Sequence, residues 1–198
     1  MSVFEKVKKN LEGRRYTVKE FATAEEAGKY LDSQIDGAVV GIGGSATVLA
    51  SGAYDLLAKH NEVHWHWKSD DQNAERKASA LADVYLTSVQ ALSENGEMVS
   101  IDGTGNRVAG MLYGHKKVYF LVGSNKLVPT LEDALTRARQ VGGPARAKQL
   151  NRKTPCVVDG KCHDCRSPER ICNGMNIMLM PMTGMEAEVL LIDQELGI

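Results

Sequence analysis

No apolar run in this 198-residue chain approaches the roughly 20 residues that cross a bilayer, so no membrane-spanning helix is expected. The opening segment, Met1 to Leu11, lacks the apolar core of a secretion signal and carries Lys and Glu in the pattern of an amphipathic helix. A bias of charge is missing as well. The 24 Lys and Arg residues nearly balance 25 Asp and Glu, for a net charge of −1, which leaves no broad electrostatic footprint for nucleic acid or an anionic membrane. There is no internal repeat and no low-complexity tract. Together these absences point to a cytoplasmic protein. What remains is the balance of an ordinary globule, 43% hydrophobic and 25% charged, and its length suits one sizeable α/β domain with a short appendage.

Hydrophobic patterning supplies the elements. Residues 1–12 and 23–34 read as helices, the second opening at Thr23 with Glu26 three residues on, a capping-box pattern. Tyr16 to Phe21 alternates like a strand. Gly37 to Ile42 is a continuous apolar run, as expected of a strand buried on both faces, and Lys117 to Gly123 reads as another buried strand. Gly43-Gly44-Ser45 opens a helix carrying Val48, Leu49, Tyr54, Leu56 and Leu57. Glu62 to Trp67 reads as a strand and Asn73 to Leu81 as a helix. Asp83 to Thr87 is a strand, and Thr130 to Gln140 and Pro144 to Leu150 are helical. The alternation predicts an α/β fold with a mainly parallel sheet covered by helices on both faces. A β-hairpin insertion at 97–101, a cysteine-bearing loop at 151–174 and one or two closing strands at 175–193 complete the expectation.

Two glycine-rich loops carry the first candidate chemistry. Gly41 to Thr47, GIGGSAT, joins a strand to a helix; Gly43, Gly44 and Ser45 would let a ligand approach the helix's positive end, or form only a tight capped turn. The motif is neither a Walker loop nor a full GxGxxG. Asp102-Gly103-Thr104-Gly105-Asn106-Arg107 follows the alternating run Glu97–Ile101 and leads into an apolar helix-like run, Val108 to Tyr113. Its backbone N–H groups and guanidinium would grip a small anionic or nucleotide-like ligand, if it is more than a surface turn.

The segment from Ala82 to Gly110, with its Ala-Asp-Val-Tyr-Leu-Thr strand, acidic-Gly turn and Ile-Asp-Gly-Thr-Gly-Asn-Arg loop, resembles the lactate-utilization (LUD) domain family. The likeness extends over most of the chain, through Gly123-Ser124-Asn125-Lys126 to the terminal cysteines, as one LUD-like domain spanning 1–198. It implies a fold like that of the ribose-phosphate isomerase and CoA-transferase superfamily. It also implies a part in lactate or 2-hydroxy-acid use, accessory or linked to electron transfer, beside iron–sulfur oxidoreductase partners. Ser93-Glu94-Asn95-Gly96 looks like the signature of one CoA-transferase class, in which the glutamate attacks an acyl-CoA. That gives an alternative reading of acyl transfer with Glu94 as nucleophile. A solvated Glu94 beside an Asn-Gly hairpin turn explains the same residues.

All four cysteines, Cys156, Cys162, Cys165 and Cys172, crowd into one short window. Four thiolates form a ligand set for zinc or an iron–sulfur cluster, although the spacing matches no ferredoxin or zinc-ribbon template; disulfides, disfavoured in a cytosolic chain, and a Cys-x-x-Cys redox pair are the other options. Lys161, Arg166 and Arg170 interleave with them and would favour thiolates. His64 and His66 share one strand face by alternation, which reads as an edge strand facing solvent. The crowded methionines from Met175 to Met185 read as core filling or a partner-facing surface, and a homo-oligomer is compatible with that.

Overall fold

The computed structural model describes residues 3–198. The N-terminal helix, expected over 1–12, runs as α1 (Glu5–Gly13), and residues 1 and 2 of that expectation lie outside the described residues. The chain continues through β1 (Thr17–Phe21), α2 (Ala24–Gln34), β2 (Val39–Ile42), α3 (Ala46–Ala50), α4 (Ala53–Leu57) and β3 (Glu62–His64). Next come α5 (Gln72–Ser79), β4 (Val84–Thr87), β5 (Ala91–Ser93), β6 (Met98–Asp102), α6 (Asn106–Leu112) and β7 (Lys117–Gly123). The last third holds β8 (Leu127–Val128), α7 (Leu131–Arg137), α8 (Gly143–Gln149), α9 (Pro155–Asp159), β9 (Gly174–Met178) and β10 (Glu186–Ile192).

Six strands form one parallel sheet in the order β1-β10-β7-β4-β2-β3. Its central strands are buried on both faces, and alternation divides their side chains cleanly. Val118, Phe120 and Val122 of β7 pack with Val7 and Leu11 of α1 on one side. Tyr119 and Leu121 pack with Leu31 of α2, Val48 of α3 and Leu57 of α4 on the other. The fold is therefore α/β with helices on both faces. The capping box at Thr23 and Glu26 forms: the threonine hydroxyl accepts the Glu26 amide at 3.2 Å and the Glu26 carboxylate accepts the Thr23 amide at 3.2 Å. Among the described residues no helix is long and apolar enough to cross a membrane.

Three expectations are corrected in detail. The hairpin at Asn95-Gly96 does not stand alone; it belongs to a second, four-stranded sheet in the order β8-β5-β6-β9. That sheet packs Ala91, Val99 and Ile101 against Ala134 of α7 and Ala138 just beyond it. The helix after Gly43 breaks into α3 and α4, with Gly52 at φ +67° in the break. The strand expected over 62–67 stops at His64, where its pairing with β2 ends at Gly41; β2 itself continues one residue further, Ile42 pairing with Leu86 of β4. Residues His66 to Lys68 coil into a 3₁₀ turn, burying Trp65 in the core.

Candidate functional site

Parallel pairing brings the C-terminal ends of β2, β4 and β7 to one edge of the main sheet, the usual place for ligands in such sheets. Segments leaving those ends line a cleft of about 610 Å³: Gly44, Ser45 and Thr47 after β2, Ser88 and Gln90 after β4, and Lys126 after β7. The second sheet delivers the other glycine loop to the same cleft, where Asp102, Gly103, Thr104, Asn106 and Arg107 line it. Gln90 ties that loop to the main sheet, its side-chain amide exchanging hydrogen bonds of 3.0 and 3.1 Å with the backbone of Ile101. The two glycine loops, far apart in the chain, therefore converge.

Gly43 and Gly105 do not line the cleft but shape it. A Cβ on Gly43 would lie 2.8 Å from Tyr85 Oη and 3.1 Å from Arg107 Cγ, so the bare backbone is what lets Arg107 pass. Gly105, at φ +90°, provides the N-terminal cap position of α6. Ser45 caps α3, its hydroxyl accepting the Val48 amide at 3.2 Å.

The Asp102 carboxylate accepts the amides of Thr104 at 3.3 Å, Arg107 at 2.9 Å and Val108 at 3.2 Å. The amides of Thr104 and Arg107 in the loop, and of Val108 beyond it, are thus already bonded to an internal carboxylate, and side chains also line the cleft. Five of these are basic: Arg76, Arg107, Lys126, Arg146 and Arg152. Among the described residues Asp102 is the one acidic side chain in the lining, and its charge is spent on the three amides. Such a field selects anions.

Two buried groups stand out. Lys126 is 3% exposed, and its Nζ donates to Thr47 Oγ1 at 2.8 Å and Ser88 Oγ at 2.7 Å, with no carboxylate paired to it among the described residues. Burial, then the charges of Arg107 and Arg137, push its ammonium down to about 7. His66 is 6% exposed and lines the cleft, its Nδ1 without a hydrogen-bond partner among the described residues. Burial, then Arg76 and Arg146, push it down to about 4, so it is neutral at pH 7. The alternation that placed His66 beside His64 on a solvent face is corrected here. His64 alone stays at the surface, between Glu62 at 3.0 Å and Glu75 at 3.3 Å. Arg146 lies 5.1 Å from the Trp67 ring centre, which orders its guanidinium over the cleft wall.

Lys126, His66, Arg76 and Arg146 were not singled out as ligand contacts from the sequence. One signal for Lys126 was available: a cation three residues beyond the end of a buried parallel strand falls at the carboxyl edge of the sheet. The other three arrive on separate helical segments, and only tertiary packing gathers them.

Glu94 is not brought to the cleft. Its carboxylate pairs with Lys6 of α1 at 2.5 Å, and its carbonyl accepts from Asn10 at 2.7 Å, within the hairpin turn. Neighbouring Glu97 is the carboxylate turned inward there, bound by Arg14 and Ser93.

The four cysteines are free and line one small cleft with His163, Asp164 and Arg170. Arg170 organises the loop, donating to the carbonyls of Cys165 at 2.6 Å and Cys172 at 3.0 Å and to Asp164 at 3.0 Å. The Cys172 thiol is pushed up, because burial outweighs Arg170 and the neighbouring Cys162 and Cys165 add to it. The donors are of the right kind for a thiophilic metal, but among the described residues no three His, Cys, Asp or Glu side chains stand together as a ready ligand group. The loop is latched to the glycine loop: Asn173 donates through its backbone to Asp102 O and through its side chain to Gly103 O, each at 3.0 Å.

A family model, the LUD domain, matches residues 4–192. Among solved structures the chain is similar to the crystal structure of a DUF162 family protein from Deinococcus radiodurans, at 13% identity and a TM-score of 0.53 over 94% of each chain. That likeness bears on the fold. No curated protein matches.

Proposed function

This chain belongs to the LUD domain family, and on that premise we propose that it serves the use of lactate or a related 2-hydroxy acid by holding a small organic anion in the main cleft. The observation that carries the reading is the charge of that cleft: five basic side chains from separate elements, against one carboxylate already bound to backbone amides. Lactate and its oxidation product, pyruvate, are small carboxylates of the chemistry this field selects. The proposal places the protein in the cytoplasm as an accessory or electron-transfer-linked subunit, beside an iron–sulfur oxidoreductase partner. The cysteine loop is its second part. A metal or cluster there is supported by four thiols sharing one cleft, and no step of the anion's chemistry is routed through it. Acyl transfer by Glu94 has less support, since that carboxylate sits in a turn beside Lys6 and not with the cations.

Calorimetric titration of the intact protein with L-lactate, pyruvate and inorganic phosphate tests the reading. We expect saturable one-to-one binding of a carboxylate that weakens with added salt and falls about 10- to 100-fold in Arg107→Gln or Arg146→Gln, the weight of one charge-assisted hydrogen bond. Absence of binding across the panel, or equal binding in folded variants, would overturn it.

A further inference from the structure

Lys126 is bonded in an unusual way for a lysine. Its Nζ meets two hydroxyls, Thr47 Oγ1 and Ser88 Oγ, and no acid among the described residues. An ammonium has three N–H donors and seeks a counter-charge; a neutral amine has two N–H donors and a lone pair. Two acceptors and no carboxylate are the environment of the neutral amine. The hydroxyls are themselves held: Thr47 donates onward to the Leu196 carbonyl at 3.3 Å, and both residues are buried. With both N–H groups engaged, the lone pair is the free valence of the nitrogen. The residues carrying this arrangement all line the cleft, and Arg107 lies near enough for its charge to disfavour a second cation on Lys126.

We propose that Lys126 is a nucleophilic amine that forms an imine with a short 2-oxo acid bound in the cleft. This rests on the anion-binding reading and names the class of anion: a carbonyl carbon next to a carboxylate, which puts the carboxylate among the arginines and the carbonyl beside Lys126. The Nζ lone pair attacks the carbonyl carbon, a C–N bond forms, and the carbonyl oxygen takes up a proton. The resulting carbinolamine loses water to leave the C=N bond. Amine and carbonyl give imine and water, and no oxidant or reductant enters.

The test traps the imine on the intact protein. Pyruvate is added, the mixture is reduced with borohydride, and peptide mass spectrometry locates the product, while calorimetry follows pyruvate binding in parallel. One reduced pyruvyl group on Lys126 is expected, absent when lactate replaces pyruvate, and lost in a Lys126→Arg variant shown to be folded by circular dichroism. Mapping on the unaltered chain keeps the test decisive even if that variant does not fold. Pyruvate that binds without modifying Lys126, or that modifies exposed lysines equally, overturns the inference and leaves the anion site standing. Failure to bind at all overturns the reading beneath it.

Discussion

Replacing Asp102 by alanine probes how the glycine loop is held. The carboxylate accepts three amides at 2.9 to 3.3 Å, two of them in the first turn of α6. Loss of a side-chain cap costs about 0.5–2 kcal/mol, and each further amide left without a good partner adds about 1 kcal/mol, less where water can reach it. The Thr104 amide is exposed and rehydrates; those of Arg107 and Val108 are partly buried. The sum is about 2–3 kcal/mol. For a chain of this length, thermal unfolding followed by circular dichroism should then show a midpoint about 5–10 °C lower. Asp102→Asn retains one acceptor oxygen and should lose less than half as much. Removing the carboxylate also removes the one acidic lining side chain among the described residues, so the folded alanine variant should bind an anion at least as tightly as the parent. An alanine variant within about 0.5 kcal/mol of the parent would refute the claim that Asp102 holds the amides of Thr104, Arg107 and Val108.

Other outcomes follow from the same geometry. Glu94→Ala breaks a surface pair with Lys6 and should change stability by less than about 0.5 kcal/mol in denaturant unfolding, and leave anion binding unchanged. His66 is held near pKa 4 in the fold against 6.5 when free, so the unfolded chain binds the extra proton first as pH falls. Stability is therefore full above about pH 6.5 and drains towards pH 4, by on the order of 2–3 kcal/mol, a slope that urea titrations should find flattened in His66→Gln. A Cβ on Gly28 would lie 2.0 Å from the Ser51 carbonyl oxygen, so Gly28→Ala should force α2 from its neighbours and cost about 2 kcal/mol or more by the same titration. Elemental analysis of anaerobically purified protein should find iron with sulfide, or zinc, and Cys162→Ser or Cys165→Ser should lose it; full retention of metal would sink the cysteine-loop proposal.

The sheet was legible because its signals are local. Lys117 to Gly123 is strand from end to end, and the Thr23 and Glu26 pair starts α2 where the capping pattern put it. The second sheet was only half visible. Its hairpin lies within a dozen residues, but β6 pairs with β9 through contacts such as Ser100 with Asn176, whose sequence separation no local pattern encodes. Alternation misled at His64 to Trp67 because a strand needs backbone pairing as well as a pattern, and the β2–β3 pairing stops at Gly41 and His64 although β2 itself runs on to Ile42 beside β4.

The site divides the same way. Both glycine loops were evident from composition, and they do converge. Which of their atoms face the cleft was not evident, because Asp102 is simultaneously part of the motif and the acceptor of its amides. Lys126 sits in a segment that reads as a polar turn, yet it is among the most buried cations of the chain. Burial of a charge is a property of the whole packing, so a lysine's sequence neighbours do not reveal it.

The most direct measurement is a crystal structure determined with pyruvate present at saturating concentration. The account predicts density in the main cleft, with the carboxylate against Arg107 or Arg146 and the carbonyl carbon within bonding reach of Lys126 Nζ. An empty cleft at saturation, or pyruvate seated only outside it, would contradict the claim that this cleft is an anion site.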